Sequence, residues 1–147
     1  MSNEFSKVCG VEKLSMIDMR GYTSCVLFSS RCNFQCRYCY NVQLWKGQLP
    51  ELNPQEIKDY LLSRKNLIDY VVFSGGECTI YPQYLIDSAK WCKENGFKVK
   101  VDTNGSNYKL EKYDKGIEES KKMLEEKDNA LVVVFNKDIQ NVIHVEL

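Results

Sequence analysis

Three apolar segments, each followed by a polar or glycine-rich stretch, constrain the fold of this chain more than any other feature. Residues 23–29, 70–74 and 97–101 are rich in β-branched and aromatic side chains, which favours β-strands. The stretches that follow them are residues 29–41, 74–77 and 102–106.

Helix patterns lie between these strands. Asn53 is an N-cap type of residue, Pro54 suits the first helical position, and Glu56 stands three residues after the cap. A second helix is predicted over residues 82–94, where Gly96 provides a typical C-terminal stop. Further elements are predicted with less regular patterns: strands over residues 11–17, 131–135 and 142–145, and a charged helix over residues 113–127.

The alternation of strands and helices predicts an α/β fold with a mostly parallel sheet. A chain of 147 residues is too short for an eightfold β/α barrel, which takes about 200 residues or more. We therefore expect one domain over residues 1–147, with right-handed crossovers between its parallel strands. Because ligands of such sheets bind beyond the carboxyl ends of the strands, the three polar stretches are expected at one rim.

Charge and hydropathy argue against several kinds of partner. The chain has 20 Lys and Arg residues and 20 Asp and Glu residues, so no excess of positive charge indicates nucleic-acid binding. No apolar run reaches the roughly 18 residues of a membrane span, and the first residues lack the apolar core of a secretion signal. We expect a cytoplasmic protein with no membrane partner, whose seven cysteines serve a purpose other than disulfide formation.

Three of those cysteines, Cys32, Cys36 and Cys39, form a C-x3-C-x2-C motif directly after a predicted strand. Thiolates are soft ligands that suit iron–sulfur clusters or zinc. Three cysteines on a four-iron cluster leave one iron without a protein ligand, and an open position of this kind invites a substrate. A structural zinc site is the simplest alternative, although such sites usually pair two half-sites and no second one is evident.

The other four cysteines bear on whether a fourth ligand closes the cluster. Cys25 lies in a predicted strand and Cys92 on an apolar helix face, so both are expected in the core. Cys78 directly follows a Gly-Gly-Glu sequence at the predicted rim and is the main rival as a fourth ligand. The role of Cys9 stays open.

Three motifs together resemble the radical S-adenosylmethionine (SAM) superfamily. Residues 32–41, Cys-Asn-Phe-Gln-Cys-Arg-Tyr-Cys-Tyr-Asn, are similar to the cluster loop of those enzymes, and residues 74–77, Ser-Gly-Gly-Glu, to their Gly-Gly-Glu motif. Residues 102–105, Asp-Thr-Asn-Gly, are similar to a third-strand motif of the activases of glycyl-radical enzymes. The resemblance spans about residues 10–108 and is greatest to the activating protein of anaerobic ribonucleotide reductase, followed by that of pyruvate formate-lyase. It implies that the α/β fold is an open, partial (β/α) barrel with a mostly parallel sheet, shortened at its C-terminus.

The resemblance implies that Cys32, Cys36 and Cys39 hold a [4Fe–4S] cluster, whose open iron takes the amino and carboxylate groups of SAM. Tyr38 would lie against the adenine.

The other matched residues would contact the methionine part of SAM: Gly75, Gly76, Glu77, Asp102, Thr103 and Asn104. The glycines would let the backbone approach the ligand closely, and the glutamate would accept a hydrogen bond from its ammonium group. The aspartate and the threonine match positions near the SAM carboxylate, where a monovalent cation is a further implied cofactor.

The implied chemistry is the reductive cleavage of SAM by a cluster that has received one electron from a flavodoxin or ferredoxin type of donor. Methionine and a 5′-deoxyadenosyl radical would result, and the radical would take a hydrogen atom from a glycine Cα of a partner enzyme. We expect that glycyl-radical enzyme to be anaerobic ribonucleoside-triphosphate reductase. No acid–base pair is required, which agrees with a single histidine, His144.

The sequence departs from the family pattern at three positions. Cys78 stands where proline usually follows Gly-Gly-Glu, which would loosen the turn or place a reactive thiol beside the site. Tyr40 stands where histidine is common. The family's later SAM-contacting lysine has only Lys137 as a counterpart, and the short chain would leave a barrel mouth wide enough for a protein loop or closed by a partner.

Two other functions stay open. One is a radical SAM enzyme that acts on another peptide or on a small molecule. The other is an electron-transfer or structural iron–sulfur module without SAM activity, in which a fourth protein ligand closes the cluster.

Overall fold

The computed structural model describes residues 3–104, 106, 130–134 and 143–146, and the elements alternate as the sequence predicts. In chain order they are β1 (Val8–Ser15), β2 (Ser24–Ser29), α1 (Val42–Trp45), α2 (Pro54–Ser63), β3 (Tyr70–Gly75), a 3₁₀ turn (Cys78–Ile80), α3 (Pro82–Glu94), β4 (Lys98–Thr103), β5 (Ala130–Val134) and β6 (Ile143–Glu146).

The described strands form one open sheet in sequence order, from β1 to β6. Strands β2, β3, β4 and β5 run parallel, whereas β1 and β6 are antiparallel to their neighbours. The predicted α/β architecture with a mostly parallel, open sheet of the partial (β/α) barrel type is therefore confirmed. Ser29 pairs with Gly75, and Phe73 pairs with Val101, so the carboxyl ends of β2, β3 and β4 lie at one rim.

Helix α2 begins, and helix α3 begins and ends, where the sequence signals indicate. The Asn53 side chain accepts a hydrogen bond from the Gln55 backbone N (2.9 Å), and Pro54 opens α2. Helix α3 has the predicted bounds, and Gly96 adopts a φ of +86° just beyond its end, a conformation that favours glycine.

Both helices contribute to the core that covers one face of β2–β4. The strand residues of this core alternate with residues on the other face, as the pleat of a strand requires. The fully or almost fully buried members from these elements are Cys25, Leu27, Ile57, Leu61, Val71, Phe73, Tyr84, Cys92, Val99 and Val101. The prediction that Cys25 and Cys92 are core residues is confirmed, since neither is exposed to solvent.

The N-terminal segment packs more closely than its sequence predicts. Phe5 is completely buried, its ring lies edge-on to Trp91 at 5.3 Å, and its backbone N donates to Ser88 Oγ (2.8 Å). Strand β1 accordingly begins at Val8 and ends at Ser15, not at the predicted residues 11 and 17. These contacts come from distant parts of the chain, so local periodicity does not reveal them.

Other bounds differ by smaller amounts. Strand β4 extends to Thr103, because Asp102 and Thr103 continue the pairing with β5 although their side chains are typical of a loop. The helix α1 and the 3₁₀ turn are too short to leave a periodic pattern, and the sequence did not predict them. The predicted helix over residues 113–127 and the residue Lys137 lie outside the described residues. Across the part of the chain that is described, each helix is too short or too polar to traverse a lipid bilayer.

The core assignment makes a prediction at two adjacent leucines of α2. Leu61 is completely buried, whereas 45% of Leu62 is exposed. The Leu61→Ala variant should lower the free energy of unfolding by about 2–5 kcal/mol, because it leaves a cavity in the core. The matched control, Leu62→Ala, should change it by less than about 1 kcal/mol. Urea denaturation of both variants checks this, and equal losses would contradict the core assignment.

Candidate functional site

One cavity at the rim of the sheet collects residues from all three polar stretches and has a volume of about 300 Å³. It is lined by Cys32, Phe34, Cys36, Tyr38, Cys39, Asn41, Trp45, Ser74, Gly75, Gly76, Glu77, Asp102, Thr103 and Asn104. Every residue assigned to cofactor or metal binding from the sequence is in this lining. The predicted composite rim site is thus present as a structural feature, while the role of each residue in it stays a prediction.

The Gly-Gly pair packs against the chain's own backbone. A Cβ atom at Gly75, whose φ is +116°, would lie 2.3 Å from Ser29 N, and one at Gly76 would lie 1.8 Å from Arg31 O. Two hydrogen bonds hold the contact: Gly76 N donates to Ser29 O (3.1 Å), and Glu77 N donates to Arg31 O (2.9 Å). Glycine is therefore required at both positions so that the start of the cysteine loop can pack against the end of β3. This structural role is separate from the contact with SAM that the resemblance implies.

Arg31 fixes the backbone immediately before the first cysteine of the motif. Its φ of +66° lies in the left-handed region, which non-glycine residues adopt rarely and at an energetic cost. Its backbone N donates to Leu44 O (2.8 Å), and its carbonyl accepts from Glu77 N. The backbone entering Cys32 is thus held from both sides, by α1 and by the end of β3.

The three cysteines of the motif lie in this loop and are partly buried. Cys32 Sγ accepts from Phe34 N (3.4 Å), and Asn104 Nδ2 lies 3.9 Å from the same sulfur. Cys39 N donates to the Cys36 carbonyl (3.1 Å), which closes a tight turn between the second and third thiols. Hydrogen bonds to the sulfurs are one of the means by which proteins tune iron–sulfur centres.

The thiols are a suitable donor set for a cluster. Burial raises the pKa of Cys32, and the nearby Glu77, Cys36 and Cys39 raise it further, whereas the N–H of Phe34 opposes the shift. Iron binding would therefore displace a proton from this thiol. No group of three or more His, Cys, Asp or Glu side chains within residues 3–104 and 106 could hold a single metal ion. In an iron–sulfur cluster each cysteine ligates a separate iron, so three thiols around one cavity are what a cluster requires.

Tyr38 projects from the same loop, and 75% of it is exposed. A hydrogen bond to the Cys36 side chain is the main cause that raises the pKa of its hydroxyl. The predicted contact between Tyr38 and adenine stays a prediction.

Glu77 is buried to 1% exposure and accepts four hydrogen bonds. Its Oε1 accepts from the backbone N and the hydroxyl of Thr79 (3.1 and 2.6 Å) and from the Thr103 hydroxyl (2.7 Å). Its Oε2 accepts from Asn104 N (2.6 Å). This carboxylate joins the end of β3 to the end of β4, in addition to the ammonium contact that the resemblance implies.

Asp102 and Thr103 point to opposite faces of β4, as successive strand residues do. Thr103 faces Glu77, whereas Asp102 Oδ1 forms an ion pair with Lys100 Nζ at 3.1 Å. The two side chains of the pair are only 18% and 11% exposed, and Lys100 Nζ also donates to the Asp18 carbonyl (2.7 Å). Burial raises the pKa of Asp102, and the Lys100 ammonium opposes this rise.

Cys78 belongs to the core. It is completely buried, and its Sγ lies 3.5 Å from Asp102 O and 3.8 Å from Phe73 O. Burial raises its pKa far above that of an ordinary thiol, and Cys78 does not line the cavity. The expectation of a reactive thiol beside the site is therefore wrong, because the side chain turns inward from the 3₁₀ turn. Cys9 is also buried, with Sγ 3.4 Å from Phe28 O.

Sequence reasoning gave no individual role to several residues of the site. Phe34, Asn41 and Ser74 lie in the predicted rim stretches and line the cavity, but their types carry no specific chemical signal. Lys100 could have been found, because strand alternation places Lys98, Lys100 and Asp102 on one face of β4, and such charges are unusual in a parallel sheet. The left-handed backbone of Arg31 leaves no trace in the sequence.

The close approach at the Gly-Gly pair predicts an effect of adding one methyl group. The Gly76→Ala variant should lose more than about 3 kcal/mol of stability or fail to hold the cysteine loop, because its Cβ would overlap Arg31 O. The control, Gly10→Ala, places its Cβ at an ordinary 3.5 Å from the Phe28 side chain and should fold normally. Thermal unfolding followed by circular dichroism compares them, and a Gly76→Ala protein as stable as the control would refute the packing account.

The hydrogen bonds of Glu77 make a second prediction. The Glu77→Ala variant should be destabilised by at least about 2 kcal/mol, since it removes four hydrogen bonds at a buried position. The control, Glu94→Ala, loses only an exposed ion pair with Lys90 at 4.0 Å and should be nearly neutral. Chemical denaturation checks both, and a neutral Glu77→Ala would show that the carboxylate does not join the two strands.

Comparison with known proteins identifies the family of this chain. The sequence pattern of the Radical SAM superfamily matches residues 26–133. A protein of Methanocaldococcus jannaschii, provisionally named a glycyl-radical enzyme activating enzyme, is 37% identical over 102 residues, which are 67% of this chain and 40% of that protein. The pyruvate formate-lyase-activating enzyme of Clostridium pasteurianum is 35% identical over 107 residues, 69% of this chain and 44% of the relative.

A more distant relative, the pyruvate formate-lyase 1-activating enzyme of Escherichia coli, is 27% identical over 127 residues, 83% of this chain and 48% of the relative. The chain thus spans less than half the length of these three relatives. The superfamily match covers most of the chain and includes all three motifs that form the rim cavity. The chain therefore belongs to the radical SAM superfamily, whose cofactors are a [4Fe–4S] cluster and SAM.

Proposed function

We propose that this chain holds a [4Fe–4S] cluster and SAM in the rim cavity and cleaves SAM reductively. The observation that carries the proposal is the presence of the three motif thiols in the same 300 Å³ cavity as the Gly-Gly-Glu and Asp-Thr-Asn residues. A cluster held there by Cys32, Cys36 and Cys39, once reduced by one electron, would supply the chemistry that cleaves SAM to methionine and a 5′-deoxyadenosyl radical.

The residues of the chain position the cofactors and shield them. Cys32, Cys36 and Cys39 would ligate three irons, which leaves the fourth for the amino and carboxylate groups of SAM. The side chains of Phe34 and Trp45 line the cavity and would limit the access of water to the reacting bond.

We propose that the acceptor of the radical is a glycine of a partner enzyme, most specifically of anaerobic ribonucleoside-triphosphate reductase. Two observations support a glycyl-radical enzyme as the partner: the Asp-Thr-Asn-Gly motif at residues 102–105, and the names of the relatives that match the chain. The choice of the reductase rests on the pattern of the motifs alone. The electron donor would be a flavodoxin or a ferredoxin.

The state of the cysteines supports a reducing compartment, and we propose the cytoplasm. The four cysteines outside the proposed cluster site, Cys9, Cys25, Cys78 and Cys92, are buried free thiols. Persistent free thiols are the rule where glutathione and thioredoxin keep cysteines reduced.

The ligand assignment predicts the effect of removing one thiol. After anaerobic reconstitution, Cys36→Ala should lose nearly all of the brown cluster absorbance, because one of three protein ligands is missing. The matched control is Cys92→Ala, which alters a core cysteine outside the cavity and should retain the cluster. Iron and sulfide content measure both, and a Cys36→Ala protein with full iron content would exclude this cysteine as a ligand.

The reaction itself is tested with the reconstituted protein, SAM and dithionite under anaerobic conditions. We expect 5′-deoxyadenosine and methionine in equal amounts, and in the presence of the reductase a glycyl radical signal in electron paramagnetic resonance. Products without a glycyl radical would favour another peptide or a small molecule as substrate. An intact cluster that forms no 5′-deoxyadenosine would contradict the proposed activity and favour an electron-transfer or structural module.

A further inference from the structure

We propose that Lys100 is a positioning residue whose ammonium group balances the negative charge of Asp102 beside the SAM carboxylate. Because this positive charge belongs to the chain itself, the site binds SAM without a monovalent cation. This inference rests on the proposed binding of SAM in the rim cavity. It departs from the cation that the resemblance to the activases implies.

Asp102 lines the cavity, and its Oδ1 is buried. A hydrogen bond with the Ser74 side chain stabilises its carboxylate but carries no positive charge. Its charge is balanced by the ion pair with Lys100 Nζ at 3.1 Å. A buried carboxylate is stable only when a positive charge or hydrogen bonds compensate for the loss of water, so Asp102 depends on Lys100.

Two oxygen atoms hold the Lys100 ammonium in place. The Lys100 side chain is 11% exposed, and its Nζ donates to the Asp18 carbonyl at 2.7 Å as well as pairing with Asp102. A carboxylate and a main-chain carbonyl are oxygen ligands of the kind that a potassium or sodium ion would also take. The ammonium therefore already occupies the coordination that a small cation would need beside Asp102.

Thr103 is the other residue implied at a cation site. Its hydroxyl donates to Glu77 Oε1 at 2.7 Å on the opposite face of β4. Although both residues line the cavity, the Thr103 hydroxyl is thus directed to Glu77 and not to the Asp102 carboxylate.

The consequence for SAM follows from charge. The carboxylate of an approaching SAM would be repelled by an uncompensated Asp102, and the Lys100 ammonium removes this repulsion. Lys100 does not line the cavity, so it acts on the ligand through Asp102.

Equilibrium dialysis tests this by measuring the affinity of the cluster-loaded protein for SAM in potassium chloride and in tetramethylammonium chloride of equal ionic strength. Wild type should bind equally in both salts. Lys100→Met should bind roughly tenfold more weakly or worse in tetramethylammonium and should regain affinity in potassium. The double variant Lys100→Met/Asp102→Asn, which has lost both charges, should bind more tightly than Lys100→Met in tetramethylammonium and equally in both salts, a partial recovery that a merely structural role of Lys100 would not produce.

The control is Lys98→Met, because Lys98 lies on the same strand face but contacts the rings of Tyr22 and Tyr70, with its Nζ 4.9 and 5.5 Å from the ring centres. It should bind SAM like wild type. Lys100→Arg keeps the positive charge and should bind SAM in tetramethylammonium better than Lys100→Met. This comparison separates the loss of the charge from a loss of affinity that is caused by misfolding.

A second measurement needs no SAM. The unfolding temperature of wild type should be the same in potassium and tetramethylammonium chloride, whereas Lys100→Met should be stabilised by several degrees in potassium through cation binding at the vacated position. A wild type whose SAM affinity or unfolding temperature requires potassium would overturn the inference, as would a Lys100→Met protein that is indifferent to both salts. A wild type that binds no SAM in either salt would refute the proposed function, while the unfolding temperatures would still decide the role of Lys100.

Discussion

The approach of two backbone segments at the Gly75–Gly76 pair is the contact on which the rest of the site depends. The end of β3 lies so close to residues 29–31 that a single methyl group at either glycine would overlap a backbone atom. Two backbone hydrogen bonds across this contact fix the residues that lead into Cys32. Since the cysteine loop is otherwise a long irregular connection, the position of its first thiol relative to the sheet is determined here.

The Glu77 side chain connects the end of β3 to the end of β4 across the rim. The buried Glu77 follows the glycines directly and accepts hydrogen bonds from Thr79, Thr103 and Asn104. Asn104 in turn places its amide 3.9 Å from Cys32 Sγ and 3.0 Å from Asn33 Oδ1. The ends of β2, β3 and β4 therefore form one hydrogen-bonded unit. A substitution in any of the three motifs would consequently alter the geometry of the other two.

Much of this architecture could be predicted from the sequence, because it follows from local signals. The N-cap at Asn53, the stop at Gly96 and the apolar run at residues 70–74 each have a short-range physical cause, and the structure confirms them. The three polar stretches could be assigned to one rim because the carboxyl ends of parallel strands lie on the same side of a sheet.

The remaining features arise from contacts between distant residues. The burial of Phe5 depends on Ser88 and Trp91, and the inward turn of Cys78 depends on the backbone of β4. The motifs identify Gly75, Gly76 and Glu77 as residues of interest but indicate only a role in binding SAM. Their contacts within the chain become visible only when the distances to Ser29, Arg31 and the end of β4 are known. The ion pair of Lys100 is an intermediate case, because strand alternation reveals its face and only the structure reveals its partner.

The central claim is that three cysteines of one loop hold a four-iron cluster with one iron left for SAM. Mössbauer spectroscopy of protein reconstituted with isotopically enriched iron tests this most directly, because it distinguishes the individual irons of a cluster. The account predicts that SAM changes the signal of one iron in four and leaves the other three unchanged. Four irons that are all insensitive to SAM, or a protein that binds no iron at these cysteines, would contradict it.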